Sequence, residues 1–387
     1  MANTQMEQVP GRTKPGPYRS LDAWRGFASF MVMMYHTEQV LALQYHSKSF
    51  ILVMFRYGNL GVNVFFVISG YCIAAAAGAA LRREHGAIAF AKARLRRVFP
   101  TYWAALAMTS ALALVLELYM ESGHAIHSDL ANLRILDHTG IWYMANLTLT
   151  NDIARVNFVV PQAWTLCYEA AFYLIMALAL ALVGQRWGEK AMLWAAHVVT
   201  LVAIGTLVLH WNIYPLNLWP DFGCGIVVYH WVRFRDFPVL PLLIIGLLAC
   251  FTVLARLDHS FAAASGYFFC WVIMVLLIIL HPSDTGISTS MIGKPLMAVG
   301  IISYSLYLTH TFSLGLVNQV LKRVIPPGQI SMGTPVTIIA FAVTAAPALL
   351  FAWLFFRYFE KPFLSASGRA RIESEIRSEA SPAASPG

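Results

Sequence analysis

The sequence predicts an all-α, polytopic membrane bundle of about ten transmembrane helices with both termini cytoplasmic. Three observations lead there. The 387 residues are 58% hydrophobic and 12% charged, with a mean hydropathy of +0.62. That is about half the charged share of a soluble protein, and too many apolar side chains for a core surrounded by water. Apolar runs of spanning length recur near residues 22–44, 61–81, 99–118, 164–183, 191–209, 213–232, 238–256, 262–280, 297–320 and 334–357. With the N-terminus placed inside, 20 Lys and Arg fall on the cytoplasmic side and 7 on the other. Positive charge gathers on the cytoplasmic side of membrane helices, so the split fixes the orientation.

Residues 1–16 read as a disordered cytoplasmic segment. Arg12 and Lys14 lie among prolines with no apolar core, so no cleavable signal is expected and the first span acts as its own targeting signal. That span is interrupted by Asp22, Arg25, His36 and Glu38, as suits a helix facing a cavity rather than lipid. The third is preceded by Lys92, Arg94, Arg96 and Arg97, which mark its cytoplasmic end. The longest connection, about 119–163, is expected outside and holds Trp142, Tyr143, Asn146 and Asn151; loops of that length commonly serve as lids or binding surfaces. The sixth span is weak, with Pro215, Pro220 and Asp221. On the ninth, Ser303, Tyr307 and His310 share a face, with helix packing the preferred reading over a cavity lining. Arg357, Glu360 and Lys361 end the last span as an anchor or ion pair. Residues 366–387, rich in Ala, Ser, Glu and Arg, read as a disordered cytoplasmic tail, leaving 17–365 as the membrane domain.

The net charge of +8 is explained by these topology signals, so no nucleic-acid partner is expected. Cys72, Cys167, Cys224, Cys250 and Cys270 all fall in apolar stretches without ligand spacing, so no metal is expected either.

The candidate chemistry begins with Arg25 and His36. Eleven helical steps of about 100° return to nearly the same azimuth, and eleven rises of about 1.5 Å separate the two by roughly 16 Å. Arg25 then lies at the inner surface and His36 near mid-bilayer, where an ionisable group most often does chemistry in a polar cavity. The competing reading is a hydrogen-bonded packing histidine. Glu169 lies about five residues into a span entered from outside, close enough in depth to serve His36 or an acceptor. Arg94 and Arg97, three apart, share one helical face, where guanidinium forks suit phosphate oxygens.

Six segments then read together: LDAWRGFASFMVMMYH at 21–36, GVNVFFVISGY at 61–71, FAKARLRRVFPTYW at 90–103, WTLCYEAAFYL at 164–174, SYSLYLTH at 303–310 and RYFEKPF at 357–363. In that order the chain resembles the acyltransferase 3 family of integral membrane acyltransferases, over roughly residues 17–365. The resemblance implies that Arg25 and His36 form the family's basic-x10-His pattern, with His36 essential for transfer. It implies that Arg94 and Arg97 bind the acyl-CoA donor, and that Glu169 is the acidic residue of the Trp-x-Leu-x-x-Glu segment. Asn63 stands where many relatives carry an acid, so no catalytic role is assigned to it. The expected protein is a single-domain O-acyltransferase of a bacterial inner membrane. It would pass an acyl group, acetyl foremost, from cytoplasmic acetyl-CoA or another acyl-CoA to a hydroxyl of a glycan or lipid-linked sugar. His36 serves as base or as acyl carrier; the sequence leaves both open, along with the acceptor, the acyl length and the oligomeric state. A proton-coupled transporter or flippase of a glycan, using His36 and Glu169 as a relay, is the alternative.

Overall fold

The computed structural model describes residues 18–42, 50–122, 133–235, 261–324 and 334–364. The predicted span at 238–256, with Cys250, and the two predicted disordered tails lie outside these residues. Among the described residues the chain is helical throughout and contains no strand. The long elements are α1 (Leu21–Ala42), α3 (Gly61–Ala80) after the short α2 (Phe50–Arg56), and α4 (Gly86–Glu121). The short α5 (Gly140–Thr148) and α6 (Asn151–Ala154) fold the long connection. There follow α7 (Trp164–Ala179), α8 (Gln185–Val208), α9 (Trp219–Phe234) and α10 (Phe261–Leu280). Two short helices, α11 (Asp284–Thr289) and α12 (Gly293–Ile301), lead into α13 (Ser303–Val324) and α14 (Thr334–Phe355).

Among the described residues, five stretches are long and apolar enough to cross a membrane: Phe50–Ala80, Gly86–Glu121, Pro161–Val208, Gly266–Thr289 and Pro335–Phe363. A straight helix over the 48 residues of Pro161–Val208 would be about 72 Å long, more than twice the hydrocarbon core. The stretch is broken at Gly188, whose φ of 89° suits a residue without a Cβ. The chain before Gly188, with α7, and the chain after it, with most of α8, are therefore separate helices. α1 falls outside the five, as its Asp22, Arg25 and Glu38 lead one to expect.

The bundle closes by backbone-to-backbone packing of small residues, as helices do where lipid removes the hydrophobic drive between them. A Cβ on Gly26 of α1 would strike the Leu296 carbonyl of α12, and one on Gly300 of α12 would strike the Asp22 carbonyl of α1. The same reciprocal fit joins α3 and α9, with Gly70 against the Phe222 carbonyl and Gly225 against the Val67 carbonyl. Glu38, buried on α1, accepts from Arg56 Nη2 at 3.2 Å and holds the end of α2. These contacts fix α1 between α3, α12 and α13, and so fix where Arg25 and His36 can point.

Candidate active site

Three helices bring charged side chains to one place. Arg25 near the start of α1, Arg94 and Arg97 in the first third of α4, and Glu169 on α7 line a cavity of about 430 Å³. Ser69, Cys72, Tyr173, Ser303, Tyr304 and Tyr307 complete much of its wall. Helical spacing sorts the basic run before the third span: Lys92 and Arg96 are exposed, whereas Arg94 and Arg97 turn inward. The Arg94 guanidinium sits over the Phe90 and Tyr173 rings, 5.8 Å from each centroid, so aromatic faces hold the cation in place.

Glu169 is held by its own helix and by α3. Tyr173, one turn on, donates its hydroxyl to Glu169 Oε1 at 2.6 Å, and Ser69 Oγ donates to the same oxygen at 3.2 Å. The Tyr304 hydroxyl donates to the Val98 carbonyl at 2.9 Å, pinning α13 beside Arg97. Tyr307 donates to the Gln162 carbonyl at 2.8 Å and lies 2.7 Å from Thr165 Oγ1, closing the far end of the cavity.

Glu360 gains a larger place here than the sequence assigns it. It lies past the end of α14 with only 3% of its surface exposed. It accepts from the Ser305 backbone N–H at 3.2 Å and from Ser305 Oγ at 2.7 Å. The first turn of a helix leaves N–H groups without internal partners, and a carboxylate there satisfies them and meets the positive end of the dipole. Glu360 and Glu169 are the two carboxylates whose charge acts on both Arg97 and Arg25. Asp22 lines the cavity too, its Oδ1 3.8 Å from Arg25 Nη1, so Arg25, Arg94 and Arg97 face three carboxylates, of which Asp22 and Glu169 are in the cavity wall. A buried Glu at the end of an apolar run was the one sequence signal for Glu360, and its sequence neighbours Arg357 and Lys361 masked it as an anchor.

His36 is not among the residues lining this cavity. It sits half-buried three turns along α1 from Arg25, with its ring 5.2 Å from Tyr35 and 4.9 Å from His310. On α1 the cavity wall ends at Arg25, and on α13 it reaches Tyr307, whose ring is 6.0 Å from that of His310. Tyr307 therefore stands between the arginine cavity and a pair of imidazoles. The polar face of α13 divides accordingly: Ser303 and Tyr307 face the cavity, and His310 faces His36. Asn63 lies away from the cavity and donates to buried Asp221 at 2.9 Å. Among the described residues no group of three His, Cys, Asp or Glu could hold a metal ion.

Sequence comparison places this arrangement among known proteins. The chain is 27% identical to O-acetyltransferase OatA of Staphylococcus aureus over 370 residues, covering 88% of this chain and 56% of OatA. It thus spans little more than half the length of that relative. It is also 27% identical to the exopolysaccharide production protein ExoZ of Rhizobium meliloti, over 82% of this chain and 92% of ExoZ. No solved structure matches it. The profile of the acyltransferase domain family matches residues 18–357, from the residues before α1 to just past α14, taking in the three helices that carry Arg25, Arg94, Arg97 and Glu169. The chain belongs to the acyltransferase 3 family.

Proposed function

We propose that this protein is an O-acetyltransferase of a bacterial inner membrane that moves an acetyl group from cytoplasmic acetyl-CoA to a hydroxyl of an extracellular or lipid-linked glycan. The observation that carries this is the convergence of Arg25, Arg94 and Arg97 on one cavity with Glu169. Guanidinium forks bind phosphate oxygens bidentately, and three of them suit the phosphates of a nucleotide thioester. The names of two relatives, an O-acetyltransferase and an exopolysaccharide production protein, support the reaction and the class of acceptor.

In this reading ten spans leave both termini in the cytoplasm, so Arg94 and Arg97 face the compartment where CoA is made. The CoA phosphates rest on the arginines and the pantetheine arm extends past Tyr307 toward His36, whose roughly 16 Å rise from Arg25 it can cover. His36 takes the proton of the acceptor hydroxyl as its oxygen attacks the thioester carbonyl. The carbon–sulfur bond then breaks, and the departing thiolate recovers that proton from His36. Glu169, tethered by Tyr173 and Ser69, keeps Arg97 and Arg25 in place for the donor.

Membranes of the expressing cell, supplied with acetyl-CoA labelled in the acetyl group, are the test. Label is expected in the glycan fraction, at a rate proportional to the amount of this protein. Glycan crossing the membrane with no label incorporated would instead make the protein a transporter.

A further inference from the structure

Beside His36 lies a second imidazole that the proposed reaction has not used. His310 is buried, with 1% of its surface exposed. Its Nδ1 lies 2.8 Å from the Tyr307 carbonyl and 3.1 Å from the Leu306 carbonyl of its own helix. Carbonyl oxygens only accept, so Nδ1 must carry the proton. In a neutral ring, Nε2 is then a bare lone pair. Across the ring from Nδ1, that lone pair projects away from α13. It has no hydrogen-bond partner among the described residues, an expensive state for a buried acceptor. The ring lying next to it is His36, centroid to centroid 4.9 Å, with the planes tilted by 48°. No hydrogen bond holds either ring nitrogen of His36 among the described residues. In the His197–His230 pair, ring nitrogens 3.0 Å apart accompany centroids 5.2 Å apart, so the 4.9 Å spacing here is compatible with the same contact once the His36 ring turns about its broad terminal torsion.

We infer that His310 is a positioning residue for His36: its Nε2 accepts the N–H of His36 and so fixes which nitrogen of His36 holds the lone pair. The tautomer of an imidazole is set by the hydrogen bond its other nitrogen makes. With one His36 nitrogen donating to His310, the other presents its lone pair to the acceptor hydroxyl. As that hydroxyl proton arrives, His36 becomes an imidazolium, and the same N–H···Nε2 bond strengthens into a charge-assisted one. No atom leaves the pair; the proton gained by His36 later goes to the thiolate. A carboxylate commonly fills this role beside a catalytic histidine. A neutral imidazole can fill it at mid-bilayer without placing an extra charge there.

The turn carrying His310 is built to hold it still. Gln162, just before α7, donates to the Leu308 carbonyl at 2.6 Å and accepts from Thr311 Oγ1 at 3.1 Å. Its backbone carbonyl accepts from Tyr307. One side chain and one carbonyl thus clamp residues 307–311 to the helix that bears Glu169, and set the two imidazoles relative to the donor cavity.

The inference rests on the proposed acetyl transfer, and the experiment separates the two. Kinetics are measured on membranes of the expressing cell, with labelled acetyl-CoA and their own glycan, for wild type, His36→Ala, His310→Phe, His310→Gln and His310→Asn. His310→Phe is expected to lower kcat on the order of 100-fold and leave KM for acetyl-CoA unchanged, as the donor site lies beyond Tyr307. His310→Gln, whose amide reaches the place of Nε2, is expected to stay within about 10-fold of wild type, and His310→Asn, which reaches only Nδ1, to fall with Phe. Should His310→Phe work as well as wild type while His36→Ala is dead, the inference fails and acetyl transfer stands. If Asn is active and Gln is not, the ring serves its own helix through Nδ1, and the inference fails again. Should the Phe variant not accumulate as folded protein, the Gln and Asn pair decides alone. Wild-type membranes that transfer no label overturn the proposed function and this inference with it.

Discussion

His36→Ala is expected to abolish transfer of acetyl to glycan, by about 1000-fold or more in kcat, while the protein accumulates normally in the membrane. The size follows from removing the group that takes the hydroxyl proton, since a positioned base is worth on the order of 100- to 10,000-fold. Normal accumulation follows from what the substitution leaves in place. His36 is half-buried inside the helix α1, alanine is the best helix former, and the glycines that seat α1 (Gly26, Gly58 and Gly300) make their contacts through backbone atoms. The arginine cavity proposed for the donor does not include His36, so the variant is expected to bind acetyl-CoA as wild type does. Incorporation of acetyl label into glycan, together with size-exclusion of the solubilised variant, reads both halves. Label incorporation at the normal rate would remove His36 from the chemistry.

Arg94→Ala and Arg97→Ala are each expected to raise KM for acetyl-CoA by about 30-fold, which corresponds to roughly 2 kcal/mol per charge-assisted hydrogen-bonding group. Lys92→Ala and Arg96→Ala, from the same run but exposed, are expected to leave KM within about twofold of wild type. The comparison separates recognition from topology, because all four cations count alike for orientation. Arg97 carries a second consequence that Arg94 does not. Glu169 and Glu360 both act on it, and its loss leaves them, with Asp22 already paired to Arg25, short of compensating positive charge. Arg97→Ala is therefore expected to lower thermal stability as well as affinity. Arg97→Lys, a point charge without the planar fork, restores stability more fully than KM. Equal KM for all four variants would mean that the run serves topology only.

The parts of this site that were legible in the sequence share one property: they follow from position along a single helix. The inward face shared by Arg94 and Arg97 is a matter of spacing, and α4 is regular through that segment. Arg25 near the start of α1 and Glu169 one turn into α7 were placed the same way. What spacing could not give is where one helix ends up against another. The azimuth of Arg25 and His36 implied a common cavity. Yet Tyr307, from a helix nearly three hundred residues on, closes the cavity between them through its bonds to Gln162 and Thr165. Glu360 was read as an anchor or ion pair at the inner surface because its neighbours Arg357 and Lys361 are basic, whereas the turn of chain after α14 carries it under the first turn of α13. Each of these is a long-range contact, and a periodicity carries no information about its partner.

Cys72 offers the most direct measurement of what occupies the cavity. Its thiol lines the wall shared by Arg25, Arg97 and Glu169 and is partly accessible, while Cys167, Cys224 and Cys270 are buried. In a full-length variant with the other four cysteines replaced by alanine, the rate of Cys72 alkylation by a small maleimide reports access to that space. Saturating acetyl-CoA is expected to slow alkylation by about 10-fold or more, since a bound ligand shields its site by mass action, and Arg97→Ala is expected to abolish the protection. Alkylation of Cys72 at an unchanged rate, in membranes that are transferring acetyl groups at that moment, would contradict the assignment of the arginine cavity to the donor.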